Sequence, residues 1–231
     1  MVRSIFITGT GTDVGKTYVS GLMVKKMHDY GLNCGYFKPV LSGAVRDNIS
    51  NELIPEDCKH VADVSGLGAE PMRCLSYCFE EPLSPHLASK RAGVKISKTK
   101  IIGDYERYKR NYDYVLLEGA GGITCPLVDD GEKVYLLSDL IKDMSKDIVL
   151  VSESVLGSIN SALTTVEYAK SHGITVRGII LNNYDKDEFM HHDNKMMIEK
   201  LTGVNVLAVI RKGETDINVD KETLMNLFKE D

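Results

Sequence analysis

The stretch Gly9-Thr10-Gly11-Thr12-Asp13-Val14-Gly15-Lys16-Thr17 sets glycines, a lysine and a threonine in the order that phosphate chemistry uses. Glycines let backbone N–H groups close on a polyphosphate, the lysine reaches its terminal phosphates, and a threonine hydroxyl at a helix start ligates Mg²⁺. The pattern is that of a nucleoside triphosphate site. The common spacing places a glycine five residues before Gly15; Thr10 stands there, flanked by Gly9 and Gly11, so the loop is a variant one residue longer counted from Gly9. An accidental Gly-Lys-Thr in a glycine-rich turn is the bland alternative. It is disfavoured because the apolar run Ile5-Phe6-Ile7 enters the loop and a helix-like segment leaves it, the context the motif requires.

A second constellation is Tyr114-Val115-Leu116-Leu117-Glu118-Gly119-Ala120-Gly121-Gly122, a buried strand that ends in an acid and a glycine-rich loop. Phosphate-handling enzymes place an acid that helps hold Mg²⁺ at such a strand end, and the glycines let backbone approach a ligand. A plain strand-end turn is the competing reading. Lys38 closes a short strand, Asn33 to Phe37, and the following Pro39 is expected to hold it extended and to stop the strand from running on. Ligands of parallel α/β sheets bind outside the carboxyl ends of the strands, so Lys38 is well placed, although its position alone fits a surface lysine equally. Asp57, near the start of a helix from Glu56 to Val64, by itself fits an acid that complements the helix dipole.

These residues need a frame, and the apolar pattern supplies one. Val19, Leu22, Met23, Val24 and Met27 make Tyr18 to Tyr30 an amphipathic helix closing at Gly31. Arg46 to Pro55 reads as a polar, mobile loop, and Glu81-Pro82-Leu83-Ser84-Pro85-His86 as a proline-punctuated loop leading into a helix. Lys98 to Arg110 is a charged helix with Ile101, Ile102 and Tyr105 at core spacing. Ile148 to Val151 is a buried strand, followed by Gly157-Ser158-Ile159-Asn160 and a helix to about Ser171; Val176 to Leu181 is a strand ending at Asn182-Asn183, and Val204 to Ile210 a last one. At least six apolar strands alternating with helices argue a parallel sheet covered on both faces.

Composition bounds the function. The 231 residues suit one large α/β domain, and 43% hydrophobic with 26% charged residues is ordinary for a globular protein. No apolar run approaches the roughly 20 residues of a membrane span, and the first strand begins by residue 4 without a secretory signal, so no membrane and a cytoplasmic location are expected. A net charge of −5 gives no electrostatic case for nucleic acid. Five cysteines, an odd number, point to reduced thiols; the close pair Cys74 and Cys78 lacks a second ligand pair for zinc, and His191-His192 lies in a polar stretch that reads as a solvated helix face.

The phosphate loop, Tyr36-Phe37-Lys38-Pro39-Val40-Leu41-Ser42-Gly43, Glu81-Pro82-Leu83-Ser84-Pro85-His86, Glu118-Gly119-Ala120-Gly121-Gly122 and Gly157-Ser158-Ile159-Asn160 follow one another in order. With that set the chain resembles the dethiobiotin synthetases over most of residues 1 to about 212, and the longer phosphate loop is itself typical of them. The resemblance implies a single-domain P-loop NTPase-like fold over residues 1–231, a mostly parallel sheet with helices on both faces. It implies a ligase that closes the ureido ring of dethiobiotin from 7,8-diaminononanoate, CO₂ and ATP with Mg²⁺, through a carbamate and a carbamic phosphoric anhydride. Carried over by position, Lys16 and Lys38 neutralise phosphate and carbamate, with Thr12 beside them in the catalytic set, and Thr17, Asp57 and Glu118 hold Mg²⁺. Thr12 and Ser42 contact the diamine acid. Asp13, Val14, Gly15, Lys16, Thr17, Tyr18, Asp57, Glu118, Gly119, Ala120, Gly121, Asn182 and Asn183 bind ATP, with Asn182 reading adenine. Gly157, Ser158, Ile159 and Asn160 receive the substrate carboxylate of a neighbouring subunit, which implies a homodimer with its active sites at the subunit interface.

Three positions depart from the family pattern: Asp13 where glutamate is frequent, Val155 where some relatives carry a lysine or arginine, and Ile210-Arg211 in place of an Ile-Pro pair near the nucleotide. Two alternatives share the phosphate loop. A cobyrinate-type amide ligase usually carries a glutamine-hydrolysing domain, for which 231 residues leave no room. A partitioning or regulatory ATPase commonly has an extra lysine near the start of the loop, and Gly9 to Val14 contains none.

Overall fold

Ile5, Phe6 and Ile7 are fully buried, because the strand they form lies in the middle of the sheet and is covered on both faces. The computed structural model describes residues 2–230. In chain order its elements are β1 (Arg3–Gly9), α1 (Lys16–Asp29), β2 (Cys34–Ser42), β3 (Val45–Arg46), β4 (Leu53–Ile54), α2 (Glu56–Ser65), β5 (Leu75–Phe79), α3 (Pro85–Ala92) and α4 (Lys98–Tyr108). There follow β6 (Tyr114–Gly122), β7 (Pro126–Asp129), β8 (Val134–Leu136), α5 (Leu137–Met144), β9 (Asp147–Glu153), α6 (Ser158–Ser171), β10 (Thr175–Asn182), α7 (Phe189–Thr202), β11 (Val206–Val209), α8 (Lys221–Leu227) and β12 (Lys229–Glu230).

Seven strands run parallel in the order β11-β10-β9-β1-β6-β2-β5, with β12 antiparallel on Arg3 and Ser4. Neighbouring strand residues point to opposite faces, and β2 shows what each face meets. The Phe37 ring packs on Tyr105 and Tyr108 of α4, whereas the Tyr36 hydroxyl on the other face reaches Glu118, which also binds Ser20 of α1. Helices therefore cover both faces, as the alternating pattern predicts.

Three local expectations fail. β2 does not stop at Pro39 but continues to Ser42. It pairs with β6 from Cys34 to Phe37 and with β5 from Lys38 to Ser42, so past Phe37 it has one neighbour among the described residues, and a missing N–H is tolerated where a strand is paired on a single side. The segment expected as a mobile loop holds a short antiparallel hairpin, Val45–Ile54 and Arg46–Leu53, tied by Arg46 to Glu80. His191 is buried rather than on a solvated face, because α7 turns His191, Asn194 and Ile198 inward and the ring of His191 accepts the Asp185 N–H.

Candidate functional site

β1 delivers the phosphate loop to the carboxyl edge of the sheet, and α1 begins at Lys16. Gly15 has φ +89°, and a Cβ there would lie 2.0 Å from Asn182 Nδ2, so backbone conformation and space both demand glycine. Lys16 is buried at the helix start and its ammonium donates to the Gly11 carbonyl at 2.9 Å. One helical turn further on, Thr17 and Ser20 point to the same side as the end of β6.

Glu118 is where the charges meet. It is fully buried, and its two carboxylate oxygens are used differently. Oε1 accepts from Thr17 Oγ1 and from Lys38 Nζ, both at 2.8 Å. Oε2 accepts from Ser20 Oγ at 2.7 Å and from Tyr36 OH at 3.0 Å. Lys38 also bonds Asp57 on the first turn of α2. The register explains the meeting: Tyr36 pairs with Leu116 across the β2–β6 ladder, so two residues on, Lys38 comes level with Glu118 on the same face.

Burial alone would push Glu118 up; the Lys38 ammonium and the hydrogen bonds from Lys38, Ser20 and Thr17 outweigh it and hold the carboxyl below its ordinary value. Burial would likewise lower Lys38, but the carboxylates of Glu118 and Asp57 keep it above the ordinary lysine value. Burial, with the neighbouring Lys38 charge, leaves Lys16 below that value despite Glu118.

A cavity of about 390 Å³ opens over this network, lined by Thr12, Asp13, Gly15, Lys16, Thr17, Lys38, Val40, Ser42, Asp57, Glu118, Ala120 and Gly121. It brings together the expected catalytic, metal-binding and diamine-contacting residues. Among the described residues no three His, Cys, Asp or Glu side chains group as a ready-made metal cage. Mg²⁺ takes one or two carboxylates and completes its shell with substrate phosphates and water. Asp57, Glu118 and the Thr17 hydroxyl offer hard oxygen donors, and the Lys38 ammonium already sits between those two acids as a cation.

The remaining expected residues do not line the cavity. Val14 is buried and its carbonyl accepts from Asn182 Nδ2 at 3.2 Å, while Asn182 Oδ1 is buried with no partner among the described residues. Tyr18 donates to the Glu214 carbonyl. Asn183, at φ 53°, donates to Glu153 at 2.9 Å, and Gly119 packs so close to Leu137 that a Cβ would come within 2.5 Å of it. Gly157 adopts φ 91° ahead of α6, where Ser158 Oγ is buried without a partner among the described residues, Ile159 is half-buried and Asn160 exposed. Of the departing positions, Val155 is exposed, Ile210 is a fully buried core residue, and the Arg211 N–H donates to Glu214. Sequence reasoning missed Ser20, Tyr36 and Val40. The signal existed, since Tyr36 and Val40 flank Lys38 at strand alternation and Ser20 follows Thr17 by one helical turn.

A family model described as an AAA domain matches residues 3–215. An ATP-dependent dethiobiotin synthetase of Clostridium botulinum is 44% identical over 228 residues, covering 99% of each chain. One of Clostridium perfringens is 45% identical over 231 residues, covering 98% of this chain and all of the relative. Among solved structures, the cell-division protein MinD of Pyrococcus horikoshii with Mg-ADP superposes with TM-score 0.53 at 15% identity, over 98% of this chain and 86% of that one. A ParA-family ATPase of Chlorobium tepidum gives 0.54 at 12% identity, over 98% and 90%. These likenesses are of fold, a P-loop NTPase-type α/β domain.

Proposed function

The chain belongs to the dethiobiotin synthetase family, and from that premise we propose how its cleft closes the ureido ring. It is an ATP-dependent ligase of biotin biosynthesis that forms C–N bonds, acting on 7,8-diaminononanoate, CO₂ and ATP. In the proposed course one amine of the diamine takes up CO₂ as a carbamate. A carbamate oxygen attacks the γ-phosphorus and ADP leaves. The second amine then attacks the carbamoyl carbon, loses its proton and expels phosphate as the ring closes.

Two anions must be held together for the first transfer, and the chain does this with cations and backbone donors rather than with a nucleophile. Lys16 neutralises the terminal phosphates. Lys38, placed between phosphate and carbamate, offsets charge that grows on both. Thr12 and Ser42, on the cavity wall, orient the diamine. Thr17, Asp57 and Glu118 would hold Mg²⁺, which when bound supplies positive charge to the phosphate oxygens. Asn182 reads adenine through its unpartnered Oδ1, which suits an exocyclic amine donor. Asp13 to Tyr18, Gly119 to Gly121 and Asn183 make up the rest of the nucleotide site. Gly157 to Asn160 would bind the carboxylate of the partner's substrate in a homodimer, in a cytoplasmic protein of one domain over residues 1–231.

The observation that carries the reading is the convergence of Lys16, Thr17, Lys38, Asp57 and Glu118 on a single cavity in a chain of this family. The test is incubation with diaminononanoate, bicarbonate, Mg²⁺ and ATP. Dethiobiotin and ADP in equal amounts are expected; ATP hydrolysis without dethiobiotin would favour the switch-type ATPase instead.

A further inference from the structure

We propose that Tyr36 is a positioning residue of this site: its hydroxyl, with that of Ser20, fastens one oxygen of Glu118 so that the other is aimed at Thr17. The inference rests on the reading of Glu118 as a metal ligand. Its basis is the division of labour on one carboxylate. Framework hydroxyls occupy Oε2, from Ser20 at 2.7 Å and Tyr36 at 3.0 Å, and site groups occupy Oε1, from Thr17 and Lys38 at 2.8 Å each. A carboxylate on a two-bond stem swings freely unless its second oxygen is held. Partners of that kind tune a ligand's direction and charge.

Tyr36 is built for the task. It is fully buried, and its backbone is fixed as well, since the Tyr36 N–H donates to Tyr108 OH at 3.2 Å on the side where β5 has not yet joined β2. Because Tyr36 precedes Lys38 by two residues on one strand, a single register sets both donors on Glu118. Neither bond touches a reacting atom, so Tyr36 acts through Glu118 alone.

The test is Mn²⁺ binding to the full chain with saturating ATP, read as free Mn²⁺ by electron paramagnetic resonance, alongside ATP binding in excess chelator. Tyr36→Phe is expected to weaken Mn²⁺ binding on the order of tenfold and to leave chelated ATP binding unchanged. Ser20→Ala should act in the same direction. In a Glu118→Gln background Tyr36→Phe should add no further loss, which a role in general packing would not produce. If Glu118→Gln weakens Mn²⁺ and folded Tyr36→Phe and Ser20→Ala do not, the positioning role is overturned while the metal reading stands. If Glu118→Gln itself leaves Mn²⁺ binding intact, the metal reading fails and the positioning role with it. Should Tyr36→Phe not fold, Ser20→Ala decides by the same criterion.

Discussion

The carboxyl edge of the sheet has two kinds of polar surface on either side of β1. Towards β6 and β2, Lys16, Lys38, Asp57 and Glu118 are each answered by a partner within the chain. Towards β9 and β10, Asn182 Oδ1 and Ser158 Oγ are buried with none among the described residues. The size of the cost explains the difference. An uncompensated charge in the interior costs several kcal/mol, whereas an unpaired neutral hydroxyl or amide oxygen costs about 1–3 kcal/mol. A fold can keep the second kind of group open to a ligand and must neutralise the first itself. Variants that leave a buried charge of the first side unanswered should therefore disturb folding and chemistry together, and variants on the neutral side should disturb binding alone.

The largest effect expected on the charged side is on chemistry. Lys16→Ala should cost more than a hundredfold in turnover, about 3 kcal/mol or more, since it removes the charge that meets the transferred phosphoryl group. Among the described residues the Lys16 ammonium bonds only the Gly11 carbonyl, so its loss should spare the fold. Near-normal turnover in a variant folded by circular dichroism would sink the phosphate-loop assignment.

Lys38→Met should break the fold as well as the reaction. It leaves Glu118 fully buried without its cation, at about 3 kcal/mol of stability in urea unfolding. The pH dependence follows in sign. Glu118 is held below its ordinary value, so the stability it contributes is present above the usual carboxylate range and is lost as pH falls through its folded value. Without Lys38, burial pushes that value above the usual carboxylate range, so the sign reverses and the variant should lose stability as pH rises through the raised value. Unfolding curves at several pH values check this, and Lys38→Met/Glu118→Gln should regain stability without regaining activity. Equal stability of wild type and Lys38→Met would mean that the charged side is not self-compensated.

How much of this was legible beforehand follows the same division. The strand-loop-helix at Ile5 to Thr17 and the acid closing Tyr114 to Glu118 could be read locally, because glycine placement and apolar runs act over a few residues. The run of β2 past Pro39 could not, since it depends on β5 taking over from β6 as neighbour. The double use of Glu118 was hidden for a similar reason: Ser20, Tyr36 and Glu118 are far apart in sequence and meet only through the register of β2 and β6. His191 was misread because polar neighbours in sequence do not tell which face of α7 packs on Tyr184.

A smaller effect separates ligands from neighbours within the charged side. Replacing Glu118 or Asp57 by its amide should raise the Mg²⁺ concentration for half activity, since hard carboxylate oxygens suit Mg²⁺ better than neutral amides do. Glu118→Gln should shift it more than Asp57→Asn, because the Asp57 side chain is 36% exposed and that of Glu118 fully buried. An unchanged Mg²⁺ titration for Glu118→Gln would remove it from the metal site.

The smallest effect tests the neutral side. Ser158 opens a 14-residue helix whose positive dipole end suits a carboxylate, although its own N–H already donates to the Val155 carbonyl, and none of Gly157 to Asn160 lines the cavity that holds Lys38. If that helix start serves the partner's site, Ser158→Glu should repel the substrate carboxylate of the neighbouring subunit by roughly 1 kcal/mol or more. Mixing it with Lys38→Ala then gives some dimers in which one site carries both lesions and the other carries none. Part of the lost activity should return once subunit exchange is verified by tagging one variant. With exchange verified, a mixture no more active than its separate components would mean that the carboxylate is bound within one chain, and the two sides of the edge would have to meet inside a single subunit.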